Sequence, residues 1–539
     1  MSRFLGSHTG PRWAQLGTPE FGPSPVMKLG NQVTKVSSPL KELVWPLSGS
    51  QAISISYRET CRRSVESGTM TALQLSPDDF RRIAKQVTDL AAEYLESMDS
   101  RPISPQATGA DTERLFRSVL PEEGAGEEVW KELQPVIQHS RAQNGRFFGY
   151  VLGSGEPLGA MADLLASILN QNVTAWRSGP AAVTLERTVV GWLADVIGCH
   201  GFTGSLTGGG SSANLMGLAM AREAKTPANE KGMSGQGAVY ASEEVHMSIP
   251  KAVALLGIGR QNLRLIQTDE SFHMVPEELE RAIRRDKEAG KKPLAIVANA
   301  GTVNTGAIDP LAAISAVAKS HDVWLHVDGA YGALAAIASR NKFAGFEQAD
   351  SISLDPHKWL YQPLDCGCLL YRDAQAARTA FSHTGEYARA LSNDPIESFA
   401  FFEESLELSR RFRALKLWLS LRYHGFGAFR EAIKKDLGHA RRLAEAIVEE
   451  PMLELVTPVE LSAVCFRYLG PGGYSETDLN RFNAAILKRV TERGRIYLSN
   501  ALLRAKFCLR ACIVNHRTSD ADIDSVVPEV LESAREVLS

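Results

Sequence analysis

At 539 residues the chain is too long for one hydrophobic core, so two or more domains are expected. Its 44% hydrophobic and 22% charged residues are those of an ordinary globular protein, and no apolar run reaches the ~18 residues of a membrane span. A net charge of −3 with a pI near 6.5 leaves no basic footprint for nucleic acid, and seven irregularly spaced cysteines form no disulfide framework, which favours a reducing, cytoplasmic setting.

Residues 1–69 are rich in Ser, Gly and Pro, lack Asp, and carry more basic than acidic residues. No apolar segment follows Arg3, which argues against a secretory signal. A disordered extension is expected, or an upstream reading that precedes a start at Met70; an organelle transit peptide is the alternative. A helical segment follows over residues 70–145. Ser76 can cap its first helix, with Pro77 at the first position and Asp78 and Asp79 complementing the helix dipole. Phe80, Ile83, Val87, Leu90, Ala91 and Tyr94 recur at helical spacing and make an apolar stripe, to be covered by a second copy or by the chain itself. Pro102, Pro105 and Gly109 mark a linker.

A large domain is expected over residues 146–424, and from Glu186 onward strands alternate with helices. Strands are expected at Ala238–Ala241, Leu263–Gln267, Leu294–Ala298, Val323–Val327 and Ser351–Leu354, with helices such as Pro276–Ala289 and Leu311–Ser320 between them. That is the α/β pattern of a mostly parallel central sheet with helices on both faces. A helix is expected over Arg410–Tyr423, with Arg410 and Arg411 at its start. Residues 425–539 read as a small α+β domain: helices at Ala428–Glu449, Glu476–Arg493 and Ser519–Val537, strands at Leu453–Val456, Ser462–Tyr468 and Cys508–Val514. Cys366 and Cys368 alternate within an apparent strand, but no second Cys or His pair accompanies them, so they are read as core thiols and no metal is expected.

Three segments carry chemistry. Lys358, in SISLDPHKWLYQPLDCGC, sits between a Ser/Asp/Pro/His run and Trp359, a poor setting for a surface lysine. An amine that attacks a carbonyl needs such a partly desolvated pocket. In VWLHVDGAYGA an apolar strand delivers Asp328 at its carboxyl end, where open α/β sheets bind ligands. TGGGSSANL, Thr207 to Leu215, follows a short strand and opens a helix, so its backbone amides can cradle an anion. A carboxylate and a lysine at two such strand ends, with an anion cradle ordered before them, suggest pyridoxal phosphate. The bland alternatives are a solvated Lys, an N-cap Asp and a simple cap-to-cap turn.

HVDGAYGA, DPHKW and TGGGSSANL together resemble the group II pyridoxal phosphate (PLP)-dependent amino-acid decarboxylases, from about Leu75 to the C-terminus. The resemblance implies a fold-type I, PLP-dependent transferase-like architecture, a homodimer, and decarboxylation of an L-amino acid, with an aromatic one as first guess. It implies that Lys358 carries the cofactor as a Schiff base and that Asp328 partners the ring nitrogen. Gly210 and Ser211 fall at the phosphate, His357 at the phosphate or in proton transfer, Thr302 at the cofactor or its Asp, and His246 over the ring. Tyr387, in FSHTGEYAR, falls on the family's mobile catalytic tyrosine, a phenol able to return a proton to Cα. Tyr150, in RFFGY, and Asn172 and Thr174, in NQNVTAWRSGP, fall on the substrate side, partly across the dimer interface. Val151 and Thr174 depart from the aromatic residues of the animal aromatic decarboxylases. Asp355, near the phosphate, is expected to cap the lysine loop or hold His357. Arg410 and Arg411 either approach the partner's cofactor or are salt-bridged structurally, and Arg510 either orients a domain interface or meets an acidic substrate. The rivals are a decarboxylase of a non-aromatic acid such as glutamate or diaminobutyrate, a PLP aldehyde synthase, an aminotransferase or aldolase, and a non-catalytic PLP-binding homologue.

Overall fold

Strands buried on both faces read as continuous apolar runs, and GAVYAS, PLAIVAN and WLHVD are buried along their whole length. The computed structural model describes residues 73–233, 235, 237–383 and 393–538. The chain divides into two units, residues 1–80 and 81–539. Of the first, residues 73–80 are described: the lead-in and first turn of helix α1 (Pro77–Ser97), where the Ser76 Oγ accepts from the Asp79 amide at 3.1 Å. The expected cap is therefore present.

The second unit begins with the rest of α1 and with α2 (Gly109–Phe116), α3 (Val129–Gln138), α4 (Pro157–Leu169) and α5 (Pro180–Val196). Gly109 opens α2, capped by Thr108, so the linker ends one residue earlier than its glycine suggests. A seven-stranded sheet follows: β1 (Thr203–Thr207), β2 (Gly237–Ser242), β3 (Leu263–Ile266), β4 (Lys292–Asn299), β5 (Trp324–Asp328), β6 (Ser351–Leu354) and β7 (Gly367–Tyr371), in the order β1-β7-β6-β5-β4-β2-β3. Pairs from β3 to β6 are parallel; β7 runs antiparallel to both β6 and β1. Helices α6 (Gly210–Lys225), α7 (Ser248–Leu255), α8 (Pro276–Glu288), α9 (Leu311–His321), α10 (Pro356–Trp359), α11 (Ala374–Phe381) and α12 (Ala414–His424) intervene or follow. Alternate strand residues enter different cores. Tyr240, Ile296 and Val327 pack with residues of α5, α8 and α9, whereas Val239, Val297 and Trp324 pack with α6, α7 and α11. Helices thus cover both faces of a mostly parallel sheet, as the sequence implied.

The chain ends in α13 (Phe426–Glu449), β8 (Leu453–Leu455), β9 (Ala463–Tyr468), α14 (Glu476–Arg493), β10 (Ser499–Leu503), β11 (Lys506–Cys512), α15 (Asp520–Asp524) and α16 (Val526–Leu538). These build a four-stranded antiparallel sheet with a separate core against α13, α14 and α16. Three expectations need correction. Arg410 and Arg411 do not begin a helix: α12 starts at Ala414, because Arg410 is held in place by tertiary bonds, its amide on Asn172 Oδ1 at 2.9 Å. The helix expected over Ser519–Val537 is two, since Pro528 has no N–H to give the Asp524 carbonyl. Strand β10 was not expected at all. Its hairpin to β11 turns at Arg504 and Ala505, both at positive φ (47° and 66°), without the Asn or Gly that usually signals such a turn.

Candidate active site

Register brings the chemistry together. In the ladder Asn299 of β4 faces Asp328 of β5, and Asp328 faces Ser353 of β6, so three carboxyl ends lie side by side. Across the antiparallel strand, Thr207 of β1 pairs with Gly367, which sets the glycine turn and the start of α6 beside the same edge. A cleft of about 310 Å³ opens there, lined by Gly208 to Ser212, Asn214, His246, Asp328, Ala330, Tyr331, Asp355, His357, Lys358 and Val151, among others.

The glycines are required by the closeness of their neighbours. Gly209 sits at φ +139°, and a Cβ on Gly210 would lie 2.6 Å from the Ala330 methyl. Gly367 packs so tightly that its Cβ would meet Gly209 Cα at 2.4 Å. The first amides of α6, at Gly210 and Ser211, have no intrahelical acceptor and carry the positive end of the helix dipole.

Lys358 lies on the single turn α10, its side chain 17% exposed, and its Nζ pairs with Asp355 Oδ2 at 2.9 Å. Asp355 does not cap that turn; besides the lysine, Oδ2 lies 3.5 Å from His357 Nε2. His357 Nδ1 accepts from the Cys366 amide at 3.2 Å, which leaves the ring proton on Nε2. Burial holds the pKa of His357 below the usual histidine value, and does the same for His246 against the opposing pull of Asp328. Asp328 is buried and held by three donors: Asn214 Nδ2 at 2.8 Å to Oδ2, and Ser353 Oγ and the Ala330 amide, each at 3.2 Å, to Oδ1.

Lys358, Asp328, His246, Gly210, Ser211 and His357 therefore meet in one cleft. Thr302 is buried next to it, between the lining residues Gly301 and Val303, with its hydroxyl bonded to Thr305 at 2.7 Å. Tyr150, Asn172 and Thr174 do not line the cleft in this chain. Tyr150 Oη lies 2.9 Å from Tyr497 Oη, the Asn172 side chain holds the Arg410 amide, and the Thr174 carbonyl accepts from Phe402 at 3.3 Å. Tyr387 lies outside the described residues. Arg410 takes the structural role, buried against Glu186 with further bonds to the Val173 and Leu206 carbonyls. Arg510 is buried in β11 with Nη1 on Ser499 Oγ at 3.0 Å, away from the cleft lining. Sequence reasoning passed over Asn214 and Ser353. Asn214 was legible in principle: it lies about one helical turn past Gly210, on the same side of α6 as the amides.

Residues 119–469 match the family model described as the pyridoxal-dependent decarboxylase conserved domain. The chain belongs to this family. An aromatic-L-amino-acid decarboxylase of Bacillus atrophaeus is 34% identical over 475 residues, spanning 86% of this chain and 97% of that one. A phenylacetaldehyde synthase of Petunia hybrida is 31% identical, over 84% of this chain and 94% of its own. Among solved structures, Oryza sativa TDC with PLP and tryptamine matches at TM-score 0.82 and 28% identity, covering 87% of this chain and 100% of that one. The enzyme is a PLP-dependent amino-acid carboxy-lyase of fold type I. Its cleft suits that cofactor: an amine, a buried carboxylate, and a helix N-terminus whose glycine cradle any Cβ would fill. No helix among the described residues is long and apolar enough to cross a membrane.

Proposed function

We propose that this enzyme removes the α-carboxylate of an aromatic L-amino acid, releasing carbon dioxide and the amine. The lining of the cleft carries the choice of substrate. Lysine and histidine are its cationic residue types, and no arginine is among the described residues that line it. Lys358 is already paired with Asp355, so the second carboxylate of an acidic substrate would meet no arginine among the described lining residues of this chain. The name of the Bacillus relative points the same way.

PLP, when bound, supplies the sink for the electron pair left by the departing carboxylate. The chain does the rest. Lys358 offers the amine that anchors the cofactor, and Asp355 keeps Nζ directed into the cleft. The Gly210 and Ser211 amides, with His357, would hold the phosphate. Asp328 would keep a proton on the ring nitrogen and His246 would face the ring, while Thr302 stiffens the adjoining turn. Tyr387 returns a proton to Cα, which favours the amine over the aldehyde that the Petunia relative's name denotes.

Tyr150, Asn172 and Thr174 serve the substrate side of a partner's cleft, in a homodimer. Supporting this, Met161, Leu164, Leu165, Ile168 and Leu169 form an apolar stripe on α4 that is 44–53% exposed, and the chain runs from it into Asn172. Helix α1 likewise buries none of its residues in a single chain. The two sheets, each with its own core, support domain boundaries near residues 146 and 425, with 70–145 as a helical segment and 1–69 as an extension. The six described cysteines are free and buried, which supports a reducing cytoplasm.

The test is carbon dioxide release by purified, PLP-loaded enzyme against the L-amino acids plus L-DOPA, ornithine and 2,4-diaminobutyrate, with Lys358→Ala as blank. Release from Tyr, Trp, Phe or L-DOPA alone is expected. Release from glutamate or a basic acid discards the aromatic reading, and ammonia with peroxide in place of the amine marks an aldehyde synthase.

A further inference from the structure

Behind Asp328 a chain of buried polar groups runs across the sheet into α6. The Trp324 indole N–H donates to Ser351 Oγ at 2.9 Å, and Ser351 Oγ lies 2.8 Å from His326 Nδ1. His326 Nε2 lies 2.9 Å from Asn214 Oδ1, and Asn214 Nδ2 donates to Asp328 Oδ2 at 2.8 Å and to Ser248 Oγ at 2.9 Å. Ser248 Oγ in turn lies 2.9 Å from His246 Nδ1. Asn214, His326 and Ser351 are each 1% exposed or less.

The direction of every bond follows from chemistry at the two ends. A carboxylate can only accept, so Asn214 must turn its amide nitrogen toward Asp328; both of its N–H groups are then spent, on Asp328 and Ser248. Its oxygen faces His326, whose Nε2 must therefore carry the proton. Indole can only donate, so the Ser351 hydroxyl proton is left for His326 Nδ1. From Trp324 to Asn214 each donor thus points toward Asp328, an arrangement in which successive bonds strengthen one another, while the second Asn214 N–H branches to Ser248. The imidazole is neutral, and burial holds its pKa down to about 4. Helix α6 also seats the ring. A Cβ on Gly217, one turn beyond Asn214, would lie 2.6 Å from both Cε1 and Nδ1 of His326.

We propose that Asn214 and His326 are positioning residues of the decarboxylase: they hold the Asp328 side chain aimed at the cofactor ring nitrogen, and through Ser248 they orient His246. The proposal rests on the reading of Asp328 as partner of that nitrogen. His326 is absent from the cleft lining and acts through Asn214, which stands at the cleft wall and acts through the proton it donates to Asp328. Without Asn214's donor the carboxylate loses the bond that fixes its aim, and a proton on the ring nitrogen loses its well-placed acceptor.

Holoenzyme reconstituted with PLP carrying 15N at the ring nitrogen reports that proton directly by NMR, and titration of the apoenzyme with PLP reports affinity. His326→Asn keeps a polar group near Ser351 but is too short to reach Asn214, whereas His326→Gln reaches it with an N–H. Gly217→Ala displaces the imidazole without removing any polar group. The expected result is a wild-type ring nitrogen that is protonated, a shift toward the unprotonated signal with roughly tenfold weaker PLP binding in His326→Asn and Gly217→Ala, and recovery of both in His326→Gln. Gly217→Ala carries the test where His326→Asn does not fold. If both variants fold and keep the wild-type signal and affinity, while Asp328→Asn loses the ring proton, the relay is overturned and the reading of Asp328 stands. If Asp328→Asn also leaves the signal unchanged, that reading falls and the relay with it.

Discussion

The two sides of the cleft are built differently. On the cofactor side, Asp328 and the glycine turn stand at strand ends of one sheet, in ladder register, and Lys358 and His357 follow β6 on α10, both facing Asp355 of the same chain. On the substrate side, Tyr150, Asn172 and Thr174 stand on connecting segments and turn to other partners, beside an exposed apolar stripe on α4. The difference teaches where the family likeness can be read from one chain and where it cannot. A backbone ladder positions residues to a fraction of an ångström; a loop waits for whatever packs on it.

Breaking the cofactor side carries the largest expected effect. Lys358→Ala removes the only amine that lines the cleft among the described residues, and decarboxylation is expected to fall by roughly 10³-fold or more, read as carbon dioxide release under saturating PLP. Asp328→Asn keeps the shape but not the charge, and a loss of ~10²-fold to ~10³-fold in kcat with a nearly unchanged KM is expected in steady-state assays.

Breaking the substrate side tests whether it belongs to a second copy. Paired Leu164→Glu and Leu165→Glu place charges on the α4 stripe; sedimentation is expected to show monomers that still bind PLP but have lost most of their turnover. A variant that stays dimeric and active would place the interface elsewhere.

The smallest effect concerns the support behind the lysine. Tyr361, just past Lys358, donates to Asp436 of α13 at 2.8 Å, and burial lifts the Asp436 pKa from 3.8 to about 7. Below about pH 4 the carboxyl is protonated in both folded and unfolded chains. Between about 4 and about 7 the folded state keeps a proton that the unfolded chain has released, so this group's contribution declines as pH rises, by at most about 1.4 kcal/mol per unit, and levels off above. In Asp436→Asn, urea melts across that window are expected to lose this part of the slope.

Much of this was legible in the residues themselves. Apolar runs, Ser76 and Pro77, and the three motifs announced the sheet, the first helix and the cleft, because each depends on local pattern. Others were hidden for physical reasons. Arg410 read as a helix start because its partners, Glu186 and the Val173 and Leu206 carbonyls, are far away in sequence. The β10–β11 turn was invisible because Arg504 and Ala505 adopt positive φ against their own preference.

The sequence by itself pointed to the fold class through its alternation of strands and helices, to the family through the resemblance of its three motifs, and to Lys358, Asp328 and the glycine turn as the candidate amine, carboxylate and anion cradle. Only the tertiary structure decided that Asn214 and His326 stand behind Asp328, and that Asp355 pairs with Lys358 rather than capping its turn. Hydrogen bonds between residues more than a hundred positions apart depend on strand register and helix packing, and no local pattern encodes either.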